Sequence, residues 1–479
     1  MIKKASQLPS SSFIERLQKF KKMEYLYAFI AFLFGFIFIL IVPPGWNPDE
    51  PQHYWRAQQI SHGQVISNTF GGPSGKAYTG GTLLPDETSF ILSYKAYEGI
   101  TDYSLRLNFP MWKNEGVIKH AAAQVDPIGV AFPGSAHYSP LAYAPQALGL
   151  WLANNLNLPL LGGFFLAKMI GLVLQVVAIF FAIRLIPRGK WILLIIGLLP
   201  ITVTQSVSFG GDVITNSVAI LFIATTLKLA YDTKKITRWH IASLAALVGS
   251  LGLVKPSYLP LALLVLLIPI LHKKFRTAPS LLKHAGIFIF ASIPGLIWLK
   301  ITSSIQDNYS HGVDAVAQKQ YVLQQPLDFI SALFNTYLTD AQPKLYKTLL
   351  GNFIWDTAPL PLVFMFIAVI LITLSVFLSS PREKNVTFTP LVKTILLSVS
   401  VLLIVIISYA LYIYYTPLKG TSVLGIQSRY FIPFLPLILL ALHNPMTQQK
   451  QKGTKLAVIL LLLASLIATT TVLIGRIYT

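Results

Sequence analysis

Residues 25–43 read YLYAFIAFLFGFIFILIVP, a run without one charged side chain. The hydrocarbon core of a bilayer is about 30 Å thick, so about 20 such residues at 1.5 Å rise per residue cross it as a helix. The chain then changes character at once, to PGWNPDEPQHYWR (44–56), its densest polar cluster. An apolar rod that delivers acids, an imidazole and a guanidinium to its far end decides how the rest is read. Of 479 residues, 54% are hydrophobic and 12% charged. Soluble domains carry about 25% charged residues, so a water-soluble enzyme is excluded. The formal net charge is +20. These cations recur in short clusters between apolar runs and form no single patch, which speaks for an integral membrane protein and against a nucleic-acid partner. The chain has no cysteine, so disulfides, Cys-based zinc sites and thiol catalysis are excluded.

Further spans are expected at 160–186, 190–209, 212–230, 239–254, 257–271, 285–301, 361–379, 391–415, 429–443 and 456–475. With the first they make about eleven, an all-α polytopic bundle forming one domain over 25–475. The polar arm 1–24 is expected in the cytoplasm, because Lys3, Lys4, Arg16, Lys19, Lys21 and Lys22 precede the first span. The first span does not read as a cleaved signal peptide: VPPGWNPDE after it lacks a small-x-small pattern. Basic clusters at 184–190, 228–238, 273–283, 382–393 and 450–455 fall at alternate connections, which fixes a consistent cytoplasmic face. Two large extracytoplasmic loops result, 44–159 and 302–360. Segment 138–156 is apolar enough to cross, but a crossing there would invert every later loop. It is read as an interfacial helix. No repeat of 20–50 residues and no inverted repeat is found.

Asp49 stands where a helix N-cap belongs, with Pro51 in the first turn. A helix from there carries His53 and Arg56 on Asp49's face at +4 and +7. The competing reading is a solvated juxtamembrane helix with Asp49 as a cap only. Other polar residues gather near the outer ends of spans: His137 in AHYSP, Asp212 after Gly210-Gly211, Lys255 and Tyr258 in VKPSY, and Gln427, Arg429 and Tyr430 in GIQSRYF. Each alone reads as a snorkelling or capping residue. Together they put acids and cations on one face of the membrane, where ionisable groups mark function. Lys255 and Arg429 suit a phosphate, and Asp49 or Glu50 suits a proton acceptor. In a glycosyl transfer from a lipid phosphate the leaving phosphate already ionises readily and needs no acid to protonate it, so one essential carboxylate can suffice.

The stretches PDEPQHYWRAQQIS (48–61), HYSPLAYAP (137–145), GGDVITNSVAILF (210–222), VKPSYLP (254–260) and GIQSRYFIP (425–433) carry a resemblance. In this order they resemble the GT-C superfamily of membrane glycosyltransferases. More narrowly they are similar to a bacterial multi-pass membrane family of unknown function. Ser428 departs from the glycine expected before the Arg-Tyr pair. The resemblance implies a polyprenyl-phosphate sugar donor, such as one on undecaprenyl phosphate. It also implies an extracytoplasmic acceptor such as a cell-envelope polysaccharide, at the plasma membrane. It assigns the functional carboxylate to Asp49 or Glu50, with His53, Arg56, His137, Asp212, Lys255, Tyr258, Gln427, Arg429 and Tyr430 in the substrate site. No cofactor is predicted; some members use a divalent metal beside this acid, but no second acid stands at ligand spacing here.

Rival readings are a lipid-linked saccharide flippase or transporter, a polysaccharide polymerase or ligase, and a non-catalytic assembly subunit. A transporter wants charges along a central path, and the polymerases lean on Arg and His in a later loop. Loop 302–360 holds His311 but no Arg. The topology has a direct test, since the chain lacks native Cys. A single Cys at position 157 is expected to react with an impermeant maleimide added outside, whereas labelling only from the cytoplasmic side would invert the scheme.

Overall fold

The structure is a computed structural model. It describes the chain from residue 22 onward, apart from residues 72–76, 96–101, 114–125, 232–235, 272–277, 304, 306–312, 341–348, 354–356, 382, 384–385 and 447. The N-terminal arm up to 21, the cations at 234–235 and 273–276, and His311 therefore lie outside the described residues.

The fold is mostly helical. Its principal helices are α1 (Met23–Ile41), α2 (Glu50–Ser61), α3 (Ala144–Asn155), α4 (Leu160–Leu185), α5 (Lys190–Leu198), α6 (Pro200–Gln205), α7 (Asp212–Tyr231), α8 (Arg238–Val254), α9 (Ala278–Thr302), α10 (Ala315–Gln324), α11 (Pro326–Asn335), α12 (Leu362–Ser375), α13 (Pro390–Tyr414), α14 (Leu435–Leu442) and α15 (Gln448–Tyr478). Among the described residues, α1, α4, α7, α9, α13 and α15 are long and apolar enough to cross a membrane. Three shorter apolar helices cover 238–254, 256–271 and 362–375.

Prolines account for most of the difference from eleven unbroken spans. The expected helix 190–209 breaks at Leu199, whose ψ of 137° is extended because Pro200 follows it. Segment 256–266 is a 3-10 helix with Pro256 at its start and Pro260 inside it. Segment 429–443 divides into a 3-10 turn, Ser428–Phe431, and the eight-residue α14, with Pro433 and Pro436 between and within them.

Helix α4 is the spine, with α1, α3 and α7 packed along it. The approach of α3 is close: a Cβ on Gly149 would stand 2.4 Å from Ala167 Cα. Helix α3 has twelve residues, about 18 Å of rise, which falls well short of a bilayer. Its outer side exposes Leu148 and Trp151. Helices α8 and α9 run in the same direction, with Gly252 against Gly295; a Cβ on Gly295 would meet Gly252 backbone at 2.5 Å.

The all-α reading misses a small sheet. Strands β1 (Asn68–Gly71), β2 (Ala77–Leu83) and β3 (Ile128–Ala131) pair antiparallel in the order β1-β2-β3. A two-residue pairing, 352–353 with 358–359, adds a second. NTFG and AYTGGTL are short and glycine-rich, so they lack the alternating hydrophobicity by which strands are recognised. The glycines have a reason. A Cβ on Gly80 would strike the Val130 carbonyl oxygen at 1.8 Å, and one on Gly81 would reach the Gln59 side chain at 2.7 Å. The sheet thus closes directly onto α2. Beneath α2, Tyr54, Phe90, Phe164 and Phe209 form an aromatic cluster, with the Phe164 and Phe209 rings stacked at 5.0 Å. This cluster roots α2 and the sheet in the bundle.

Gly149→Leu is therefore expected to destabilise the protein by about 1–3 kcal/mol, the usual cost of overpacking. Gly162→Ala, whose Cβ would meet nothing nearer than 3.6 Å, serves as the control and should be neutral or slightly stabilising. Thermal unfolding in detergent measures both.

Candidate functional site

The five quoted stretches, scattered over 380 residues of sequence, meet at one end of the bundle. Asp49 Oδ2 accepts from Arg429 Nη2 at 2.6 Å. Arg429 Nε stands 3.4 Å from Asp212 Oδ2, and Lys255 Nζ donates to Asp212 Oδ1 at 3.1 Å. The result is a chain of alternating charge, Asp49–Arg429–Asp212–Lys255, with two acids and two cations. Each helix terminus supplies its member: Asp212 opens α7, Lys255 follows the last turn of α8, and Asp49 precedes α2. Arg429 lies in the 3-10 turn Ser428–Phe431. The arginine side chain is only 8% exposed, whereas Asp49 is the most accessible of the four at 24%.

Tyrosines wall this chain. Tyr258 OH donates to the Tyr430 carbonyl at 2.8 Å, joining the fourth stretch to the fifth. Lys255 Nζ lies 4.4 Å from the Tyr430 ring centroid, a cation–π contact. His53 Nδ1 is 2.6 Å from Tyr143 OH, and Tyr138 stacks obliquely near both. Burial pushes the His53 imidazole down to about 4, although Asp49 pulls the other way. His53 is therefore a neutral ring at pH 7, able to accept or donate one hydrogen bond.

The remaining expected site residues take other parts. Glu50 is buried. Its Oε2 accepts from Gly45 N–H at 3.1 Å, and its Oε1 accepts from Asn47 Nδ2 at 3.0 Å. Lys168 Nζ, on α4, sits 2.9 Å from the same Oε1, with both side chains fully buried. Glu50 thus holds the turn 45–49 and has no oxygen to offer a substrate, which leaves Asp49 as the candidate base. Arg56 is expected on the face shared with Asp49 and His53, in the substrate site. It is buried instead, donating to the carbonyls of Val65 and Tyr138 and to Gln59 Oε1. Such a guanidinium is a tether between α2 and the loop. His137 and Gln427 enter through their backbones: the His137 carbonyl accepts from Trp298 Nε1 at 2.8 Å, and Gln427 O accepts from Tyr430 N–H.

Asp49 occupies the N-cap position but caps nothing with its side chain. Its φ of 60° is left-handed, unusual for a non-glycine residue. That conformation swings the carboxylate away from the α2 amides and toward Arg429. Strain of this kind, about 1–3 kcal/mol, persists where surrounding contacts over-determine it, often at functional sites. Sequence reading missed Lys168, Tyr138 and Tyr143. The one lysine in the mainly apolar α4, far from either end, was a legible signal for the first. The tyrosines lay inside the quoted HYSPLAYAP without any spacing to single them out. Among the described residues no three or more His, Asp or Glu gather as a metal site.

The lock between Glu50 and Lys168 has a sharp signature. Lys168→Met strands a buried carboxylate and should cost about 3–5 kcal/mol, while the double variant with Glu50→Gln should recover much of that loss. A single variant within about 1 kcal/mol of wild type would show that the pair holds nothing.

No curated protein and no solved structure matches the chain. One family model does, over residues 32–438, which include all five stretches. The chain belongs to that family, described as predicted membrane protein (DUF2142).

Proposed function

We propose that this protein transfers a sugar from a polyprenyl-phosphate donor to an acceptor hydroxyl outside the cell membrane. In this reading the N-terminus is cytoplasmic, the bundle crosses about eleven times, and the charge chain faces the outer leaflet. The observation that carries it is the Asp49–Arg429–Asp212–Lys255 chain. It pairs an accessible carboxylate with two cations at the end of a membrane bundle. Donor phosphate takes over Arg429 and Lys255, and Asp49, released from Arg429, becomes the base. Asp49 removes the acceptor proton as the acceptor oxygen attacks the anomeric carbon. The bond from that carbon to the phosphate oxygen breaks, and the departing phosphate keeps its charge against the two cations. His53, neutral and hydrogen-bonded, orients the acceptor.

Competition between Asp49 and the phosphate for Arg429 gives an unusual expectation. Asp49→Asn should bind a polyprenyl phosphate about fivefold more tightly than wild type, since a part-exposed ion pair is worth up to ~1 kcal/mol. The same variant should lose transfer by about 100-fold or more. Arg429→Ala should weaken binding by about 1.5–3 kcal/mol, with incomplete rescue by Lys, which lacks the planar fork. Lipid binding to purified protein and analysis of envelope glycans read these outcomes. Normal transfer by Asp49→Asn would refute the base assignment.

One observation favours the transporter reading as the alternative. Gln146, Gln175, Gln205 and Asn216, on α3, α4, α6 and α7, are buried polar side chains inside the bundle. Gln175 donates to the Thr202 carbonyl and Gln146 to the Ser208 carbonyl. Movement of a lipid-linked saccharide across liposomes, unaffected by Asp49→Asn, would put this reading first.

A further inference from the structure

We propose that α11 and the turn after it (Thr336–Asp340) form a re-entrant amphipathic element embedded in the lipid leaflet on the side of the charge chain. The occupant of its open face is the acyl-chain region of the bilayer. This inference rests on the chain being a membrane protein and is independent of the activity proposed above.

Three stripes run along this element. Phe329, Ala332 and Thr336 are buried inward. Asp328, Ser331, Asn335 and Thr339 form a polar line, in which Asp328 accepts from Tyr321 OH and Asn335 Nδ2 donates to Thr421 O at 3.1 Å. The third stripe, at the i, i+3, i+7, i+11 positions, is Leu327, Ile330, Phe334 and Leu338, which are 75%, 44%, 61% and 62% exposed. Four large apolar side chains in one row are a poor surface for water and a fitting one for hydrocarbon.

Depth is what selects the occupant. Phe329 packs on Tyr409 and Tyr412 of the spanning helix α13, at ring distances of 5.7 and 5.2 Å. Tyr337 OH bonds Ser408 Oγ at 2.8 Å. Ser408 lies six residues before the end of α13 at Tyr414, about 9 Å down the axis. The turn therefore descends alongside the span, below its terminus. Above it stand the groups that membrane surfaces favour. Tyr414 and Tyr415 are exposed, Lys319 Nζ lies 5.1 Å over the Tyr414 ring, and Lys419 Nζ lies 5.6 Å over Tyr321. Tyr337 also meets Phe431, two residues beyond Arg429, which sets the element on the charge chain's side. At ten residues, about 15 Å, α11 is too short to cross.

The test uses the full chain in liposomes, with single nitroxide-labelled Cys at 327, 330, 334 and 338, and at 331 and 339 as polar-stripe controls. Collisions with oxygen, which partitions into lipid, are compared with those of a water-soluble nickel chelate. The four apolar positions are expected to favour oxygen by about tenfold over the controls and to stay so at two protein-to-lipid ratios. Equal chelate access along both stripes would overturn the proposal. So would protection that disappears as protein is diluted in lipid, which would assign the face to a second copy. Thermal unfolding of each labelled protein confirms that the comparison is made on folded chains.

Discussion

Charge neutrality in a poorly hydrated place is the constraint on which this structure depends. Asp49, Arg429, Asp212 and Lys255 are four ionisable groups at one end of an apolar bundle, where a lone charge would be costly. Each is tolerated because its neighbour carries the opposite sign. The members come from the first inter-helix turn, the start of α7, the end of α8 and a turn near residue 429. Satisfying them therefore fixes how four distant parts of the chain converge. The Tyr258–Tyr430 hydrogen bond and the tyrosines around His53 then close the walls.

A second buried pair does different work. Glu50 and Lys168 are out of reach of solvent, and Glu50 spends its oxygens on the backbone of Gly45, the side chain of Asn47 and the lysine. This anchors the turn whose next residue back is the left-handed Asp49. Two adjacent acids thus diverge in role through environment alone: one supports the turn, the other is presented by it. A resting state in which the proposed base is already paired with the arginine proposed to bind phosphate also gives an order to the proposed reaction, donor before acceptor.

Much of this was legible. The apolar run at 25–43 and five of its successors are helices long enough to cross a membrane, and the charge chain draws on residues that stood out as ionisable groups at span ends. What could not be read was who pairs with whom. Nothing in PDEPQH separates Glu50 from Asp49, because the distinction lies in Lys168, over a hundred residues away, and in a φ angle. Arg56 looked like a ligand because helical spacing gives a face but not what takes it up; Gln59 and the carbonyls of Val65 and Tyr138 do so. The breaks inside 190–209 and 429–443 were not foreseen because hydropathy averages across Pro200, Pro433 and Pro436. The sheet was missed because glycine-rich strands are chosen for close approach, which leaves no hydrophobic alternation.

The central claim is that Asp49 and Arg429 are directly coupled. A double-mutant cycle on the purified protein, combining Asp49→Asn with Arg429→Gln and reading unfolding free energies, measures this most directly. A favourable coupling of up to about 1 kcal/mol is expected, clearly above zero, with the double variant less destabilised than the sum of the singles. Additive losses, with coupling near zero, would mean that the first turn and the residue-429 turn do not meet, and the site as described would not exist.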